Sequence, residues 1–187
     1  MPRLNVKRIV ELPHYINTIN YVARKEKCSK PMYGAYNAYL PMDRSDVVPA
    51  IREQFDAAKA FYGKENRRPG IHFEINFAPE ELEYLDPHKI LTIGYWISET
   101  EFTDCMTYFA VHDHTKLWHL DMLINPVLIT EGNTYGCNNV GWYGIGSRLC
   151  EHLKYYMPED KIRDLQVSFS EKNEGGMKEK RLYNRKN

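Results

Sequence analysis

The stretch AVHDHTKLWHLDMLINP, residues 110–126, contains three histidines and two aspartates among hydrophobic residues that alternate along the chain. Alternation with a period of two is typical of a β-strand, whose side chains point to opposite faces in turn. One face would carry Trp118, Leu120, Met122 and Ile124, and the other His119, Asp121, Leu123 and Asn125. A strand does not need such polar residues to form, so the question is what their shared face does.

A second strand precedes this one. Residues 104–112 and 118–129 are predicted to form a hairpin across the polar loop 113–117, which would place His112 beside His119 and Asp121. Two imidazoles and a carboxylate suit Mn²⁺, Mg²⁺ or Zn²⁺ and leave coordination positions open for a substrate. His114, in the loop, is a fourth ligand, an orienting outer group or an exposed side chain.

The exposure of this face is a further expectation. We expect the sheet to carry His112, His119 and Asp121 on one exposed face, with at least two helices on the other. The alternative is a polar strand face that meets water and binds nothing. A structure that placed His112 and His119 on opposite faces would exclude the metal site.

Hydrophobic periodicity and end signals predict the remaining elements. Strands are predicted at 5–12, 70–79 and 164–170, and helices at 14–27, 45–64, 86–102 and 143–157. Ser45 and Asp86 are predicted N-caps, and Gly63 is predicted to end the second helix. Because the central strands are joined too tightly for a parallel crossover, the fold class is α+β, a central antiparallel sheet flanked by helices. Residues 1–170 are predicted to form the domain, and 171–187 a polar, flexible tail.

Composition limits the classes of protein that fit. The chain has 187 residues, 43% of them hydrophobic and 27% charged, and its formal net charge is zero. No segment resembles a membrane span or a signal peptide, so a cytoplasmic location without membrane insertion is expected. The four cysteines are scattered, which favours reduced thiols over a disulfide framework or a zinc site.

Basic runs occur at 24–30, 64–68 and 178–186. Such runs are usually solvated faces, but they also suit a surface that follows phosphates. The candidate DNA-contacting residues in them are Arg24, Lys25, Lys27, Lys30, Lys64, Arg67 and Arg68.

Four segments, in the right order over about residues 5–157, resemble the relaxase (mobilisation nuclease) domain of conjugative plasmids and integrative elements, within the histidine–hydrophobe–histidine endonuclease superfamily. They are TINYVARKEKC (18–28), RRPGIHFEINFAPEE (67–81), the central stretch and SRLCEHLKYY (147–156). In the central stretch His112, His119 and Asn125 match the family motif. The chain departs from it at Asp121, where the family usually has a histidine, at His114, where an aspartate is common, and at Leu117, where a further histidine is common.

The resemblance implies an activity and a site. Relaxases nick one DNA strand through a tyrosine and keep the 5′ phosphate as a phosphotyrosine. The motif places this nucleophile at Tyr21, with Tyr15 and Tyr33 as the next candidates. It also implies a divalent metal, Mn²⁺ or Mg²⁺ with Zn²⁺ as an alternative, held by His112, His119 and Asp121, with His114, His72 and Asn125 in support. The implied partners are single-stranded DNA at a transfer origin and, beyond it, accessory relaxosome proteins and a coupling protein.

Other functions fit parts of the pattern. One is a relaxase-derived DNA-binding protein without catalysis, which the residues at 117 and 121 and the short chain suggest. Another is a rolling-circle replication initiator or transposase of the same superfamily. An unrelated metal hydrolase would require the four matches to be coincidence. A carboxylate at position 121 still suits hard ions such as Mg²⁺ and Mn²⁺, so the substitution is compatible with activity.

Overall fold

The computed structural model describes residues 3–9, 12–24, 27, 32–162, 166–170 and 181–183. Its strands are β1 (Arg3–Ile9), β2 (Tyr33–Tyr36), β3 (Gly70–Asn76), β4 (Cys105–His112), β5 (His119–Leu128), β6 (Gln166–Ser170) and β7 (Arg181–Tyr183). Its α-helices are α1 (Leu12–Val22), α2 (Val47–Phe61), α3 (Pro87–Glu101) and α4 (Asn139–Leu153).

The described strands form one sheet in the order β2-β4-β5-β3-β1-β6-β7. Neighbours are antiparallel except for β1 and β6, which are parallel. The predicted α+β class is confirmed, and the sheet is mixed at this one pair. The connection through α4 is long enough to bring β6 back beside β1 in the same direction, whereas the short β4–β5 loop permits only a hairpin.

Each face of the sheet has its own hydrophobic cluster. On one face, α3 and α4 pack on side chains that include Phe73, Leu120 and Met122. On the other, α1 and α2 pack on Tyr108, Ala110 and Leu123. The alternation along β5 is therefore as predicted, since Leu120 and Met122 lie on one face of the sheet and Leu123 on the other.

The expected exposure of the polar face was wrong. His112 and Asp121 are both 0% exposed. Tyr108 and Leu123 share their face, and these apolar side chains draw α1 and α2 onto it. For the same reason β3 is buried on both faces over Gly70–Ile75, where the alternating pattern predicted a half-buried strand.

End signals explain where most helices begin and stop. Asp86 caps α3, because its side chain accepts a hydrogen bond from the Lys89 N–H at 2.9 Å. Gly63 ends α2 with φ +62, and the bonds from Lys64 N to Lys59 O and from Gly63 N to Ala60 O close a Schellman motif.

Other predicted boundaries shift. Ser45 is not the cap of α2: it lies in the 3₁₀ turn Arg44–Asp46 and its hydroxyl bonds Asp43. The first helix ends at Val22 rather than at residue 27. The last helix starts earlier than predicted, at Asn139, because the Asn138 side chain caps it.

The predicted tail lies mainly outside the described residues. Within it, Arg181–Tyr183 forms β7 and pairs with β6. Among the helices of the described ranges, none is both long enough and apolar enough to cross a membrane.

Candidate active site

His112, His119 and Asp121 meet at one end of the β4–β5 hairpin. In the register of the hairpin His112 lies opposite His119, and Ala110 lies opposite Asp121. Because side chains two residues apart share a face, the three point to the same side. The sequence-based prediction that they converge is confirmed.

Their donor atoms are spaced like the ligands of one cation. His112 Nδ1 lies 2.7 Å and His119 Nε2 lies 3.3 Å from Asp121 Oδ2, and the two nitrogens are 3.1 Å apart. Divalent ions bind such atoms at about 2.1 Å, so donors at right angles stand about 3.0 Å apart. Asp121 Oδ2 is buried between these two imidazole nitrogens. A buried carboxylate oxygen in contact with two imidazole nitrogens fits a cation site.

The other polar atom of each ligand has a protein partner. His72 Nε2 lies 2.8 Å from Asp121 Oδ1, His112 Nε2 lies 3.1 Å from the Val22 carbonyl, and His119 Nδ1 lies 3.4 Å from the Leu117 carbonyl. Outer contacts of this kind fix the tautomer and the orientation of a metal ligand. The arrangement therefore presents Nδ1 of His112, Nε2 of His119 and Oδ2 of Asp121 to the same point.

The electrostatics favour a charged Asp121. Burial by itself would raise the pKa of this carboxyl, but its contacts with His112, His119 and His72 outweigh burial and hold the pKa well below its usual value. The residue therefore remains a carboxylate, the form that binds cations.

Tyr21 stands at the edge of this cluster, in the last turn of α1. Its ring centroid is 5.6 Å from that of His112 and 6.4 Å from that of His72. The bond between His112 and the Val22 carbonyl fixes the end of α1 against the site. The His112 imidazole thus contacts His119 and Asp121 with one nitrogen and the helix that carries Tyr21 with the other.

Cations surround the Tyr21 ring. The Lys27 ammonium lies 3.4 Å, the Arg24 guanidinium 5.8 Å and the Lys7 ammonium 6.0 Å from its centroid. The Asp113 N–H donates to the Lys27 carbonyl at 3.0 Å, which fixes this residue beside the hairpin. Positive side chains beside a phenol and a set of metal-ligand residues suit a ligand with a negatively charged backbone.

The alternative tyrosines are placed differently. Tyr15 is 0% exposed and packs in the cluster under α1 and α2, with the Lys59 ammonium 4.1 Å from its ring; burial raises its pKa. Tyr33 is partly buried and pairs with Ala110 on the far side of β4 from Asp121. Of the three candidates, Tyr21 is the one whose ring contacts the histidine cluster.

Some residues singled out in the sequence lie elsewhere. Asn125 is buried four residues from Asp121, and its amide donates to the Phe55 carbonyl of α2 at 3.2 Å. Lys64, Arg67 and Arg68 lie in the exposed loop before β3. The loop ends at Gly70, the first residue of β3. Glu74, the β3 residue that pairs with Asp121, lies about 13 Å farther along the strand. His114 is exposed, with its ring 6.2 Å from that of His112. Lys25 and Lys30 fall outside the described residues.

The sequence did not reveal the part that β1 plays in the site. Lys7 pairs with His72 in the β1–β3 register, and its ammonium forms an ion pair with Glu74. Ligand atoms of His72, Glu74 and Asp121 also lie within 4.8 Å of one another. In this second group, however, His72 contacts Asp121 and Glu74 forms the ion pair with Lys7. Alternation puts Lys7 on one face of its strand, but which strand lies beside it depends on long-range pairing that the sequence pattern does not encode.

Comparison with known proteins agrees with this geometry. Residues 21–155 match the family described as Relaxase: MobA/VirD2-like, nuclease domain. No curated protein and no solved structure matches the chain significantly. The match spans well over half of the chain, and the chain belongs to this family. The family acts on single-stranded DNA by nicking and uses a divalent metal, and the cluster described above contains residues that could hold one.

Proposed function

We propose that the chain is a metal-dependent relaxase that nicks single-stranded DNA at a transfer origin through Tyr21. The observation that carries the proposal is the position of the Tyr21 ring, 5.6 Å from the His112 ring, at a cluster whose three donor atoms converge. Nucleophile, cation ligands and basic side chains are thereby gathered at one end of a hairpin. The product is a 5′-phosphotyrosyl protein that serves mobilisation of a plasmid or integrative element.

The chemical step exchanges one phosphodiester for another. The Tyr21 phenolic oxygen bonds to phosphorus, the bond from phosphorus to the 3′ oxygen breaks, and that oxygen leaves with the electron pair and gains a proton. The phenol proton passes to solvent or to a neighbouring base. Because the bond formed and the bond broken are alike, the nick can be resealed without a nucleotide cofactor. Holding the phosphate in line with the phenol is then the main task of the protein.

His112, His119 and Asp121 would hold the divalent ion, Mn²⁺ or Mg²⁺. When bound, the ion supplies positive charge to the non-bridging oxygens of the phosphate. His72 orients Asp121 through the 2.8 Å contact with Oδ1. His114, exposed and near both His112 and His119, is placed to contact the ion or the DNA.

The basic residues divide into two groups in this proposal. Arg24 and Lys27 contact the Tyr21 ring and would bind phosphates next to the scissile one. Lys64, Arg67 and Arg68 lie farther along the molecule and would contact a longer strand. The DNA path thus begins at the tyrosine and extends toward the α2–β3 loop. Accessory relaxosome proteins and a coupling protein belong to this context as further partners.

The direct test uses a randomised single-stranded library labelled at the 3′ end, incubated with the protein and Mn²⁺ or Mg²⁺. A 5′-phosphotyrosyl adduct carries the 3′ label with the protein on a denaturing gel, whereas a 5′ label leaves with the released fragment. The wild type and Tyr33→Phe should form the adduct, and Tyr21→Phe should not, with its DNA binding intact. Adduct formation by Tyr21→Phe would show that another residue attacks. If the wild type forms no adduct with the library or with candidate origins, the chain is a relaxase-derived binding protein.

A further inference from the structure

We propose that Lys7 is a further catalytic residue, whose ammonium binds the scissile phosphate and stabilises the charge that develops there. The inference rests on the proposed nicking function and adds a residue to it. Lys7 precedes the residues matched by the family model, which begin at Tyr21. It is the β1 contribution to a site otherwise built by α1, β3, β4 and β5.

The position of Lys7 follows from the strand order. β1 lies beside β3, and Lys7 is directly opposite His72, the residue that contacts Asp121. The Lys7 ammonium is 6.0 Å from the centre of the Tyr21 ring. It is therefore near the Tyr21 ring and on the strand next to His72, a position from which it would contact a phosphate under attack.

Glu74 holds the ammonium in place. The two side chains form an ion pair, in which Lys7 is 35% and Glu74 11% exposed. A nearly buried carboxylate fixes its partner strongly, because its charge would otherwise be left without compensation. The Lys7 side chain is not sealed from solvent, and the proposal requires the phosphate to approach its ammonium from the exposed side. A positioned point charge is what lysine supplies at phosphate sites.

The chemistry gives this charge a use. As the Tyr21 oxygen bonds to phosphorus and the 3′ oxygen departs, negative charge builds up on the phosphoryl oxygens and the leaving oxygen. A fixed ammonium next to them stabilises this state more than the starting phosphodiester. In this role Lys7 contributes its charge and exchanges no proton.

The alternative is a structural role, in which Lys7 only neutralises Glu74. Four variants distinguish the catalytic role from this structural role. Lys7→Met removes the charge, Lys7→Arg retains it, Glu74→Gln removes the need for compensation, and Lys7→Met/Glu74→Gln removes both charges. Lys89→Met is the matched control, since Lys89 also pairs with a carboxylate, Asp86, but at the start of α3. Melting temperature, affinity for uncleaved DNA and the single-turnover rate of adduct formation are measured for each.

With saturating DNA and metal, Lys7→Met should form adduct about 100-fold more slowly than the wild type. Lys7→Arg should keep most of the rate, and Lys89→Met all of it. The double variant should recover the melting temperature of the wild type but remain slow. Recovery of the wild-type rate in the double variant, or a wild-type rate in Lys7→Met, would overturn the role of Lys7 while leaving the nicking function intact. Absence of adduct from the wild type itself would overturn both.

Discussion

At the scale of single residues, the two oxygens of Asp121 have different surroundings. Oδ1 is 2.8 Å from His72 Nε2, while Oδ2 is buried 2.7 Å from His112 Nδ1 and 3.3 Å from His119 Nε2. The negative charge of a buried carboxylate is costly unless a positive charge compensates it. A bound cation would satisfy it, so ligand residues and metal should stabilise each other.

The first prediction concerns His119. Metal at about 100 times its Kd should stabilise the wild type by about 2.7 kcal/mol, which raises the melting temperature of a protein of this size by roughly 5–10 °C. His119→Ala removes a ligand and should abolish this increase. His88→Ala, an exposed histidine on α3, should retain it. An equal metal-induced increase in His119→Ala would place the metal elsewhere.

His72 supports a second prediction. His72→Ala deletes the contact with Asp121 Oδ1 and should weaken metal binding by about 10- to 100-fold in calorimetry, the usual effect of removing a residue that orients a metal ligand. His72→Gln can still donate to this oxygen and should recover part of the affinity. If Ala and Gln at this position bind metal like the wild type, Asp121 does not depend on His72 for its orientation.

At the scale of helices and strands, short-range signals were reliable where a side chain and its target lie within one turn. Asp86 followed by Pro87 predicted the start of α3, and Gly63 predicted the end of α2. Ser45 is a residue type that often caps helices. Its hydroxyl instead donates a hydrogen bond to Asp43, and it lies in a 3₁₀ turn that precedes α2. Local competition of this kind is not visible in the pattern alone.

This difference gives a third prediction. Asp86→Ala removes a cap bond of 2.9 Å to Lys89 N and should lower the free energy of unfolding by about 1 kcal/mol. Ser45→Ala should change it by less than about 0.5 kcal/mol. Urea denaturation measures both values. A larger loss for Ser45→Ala than for Asp86→Ala would contradict the cap assignment.

The convergence of His112, His119 and Asp121 was predictable because a hairpin fixes its own register once the loop is placed. Three features were not. The burial of this face depends on α1 and α2 docking on Leu123 and Tyr108, and the contribution of Lys7 depends on β1 lying beside β3. The parallel entry of β6 likewise depends on distant pairing. Each requires knowledge of which elements meet, which the periodicity of one segment does not contain.

At the scale of the whole molecule, a formal net charge of zero means that DNA binding must come from local clusters rather than from the overall field. The cations around Tyr21 form one cluster, and the loop with Lys64, Arg67 and Arg68 forms another. A short oligonucleotide at the tyrosine should reach the first cluster and not the second.

The fourth prediction follows from this division. Arg24→Ala/Lys27→Ala should reduce the slope of log affinity against log salt by about 1.4 for single-stranded DNA, about 0.7 for each lost phosphate contact. Arg67→Ala/Arg68→Ala should have that effect on a long strand, but none on one of about six nucleotides. Fluorescence anisotropy over a salt series measures both slopes. Loss of short-strand binding in the loop variant would show that the DNA follows another path.

The most direct measurement of the central claim is to map the residue that becomes attached to DNA. The wild-type protein is incubated with metal and a single strand that formed the adduct in the library test. The adduct is digested with nuclease and protease, and the modified peptide is sequenced by mass spectrometry. We expect the nucleotide on Tyr21, joined through its 5′ phosphate. Attachment to Tyr15, Tyr33 or any other residue, or through a 3′ phosphate, would contradict the account.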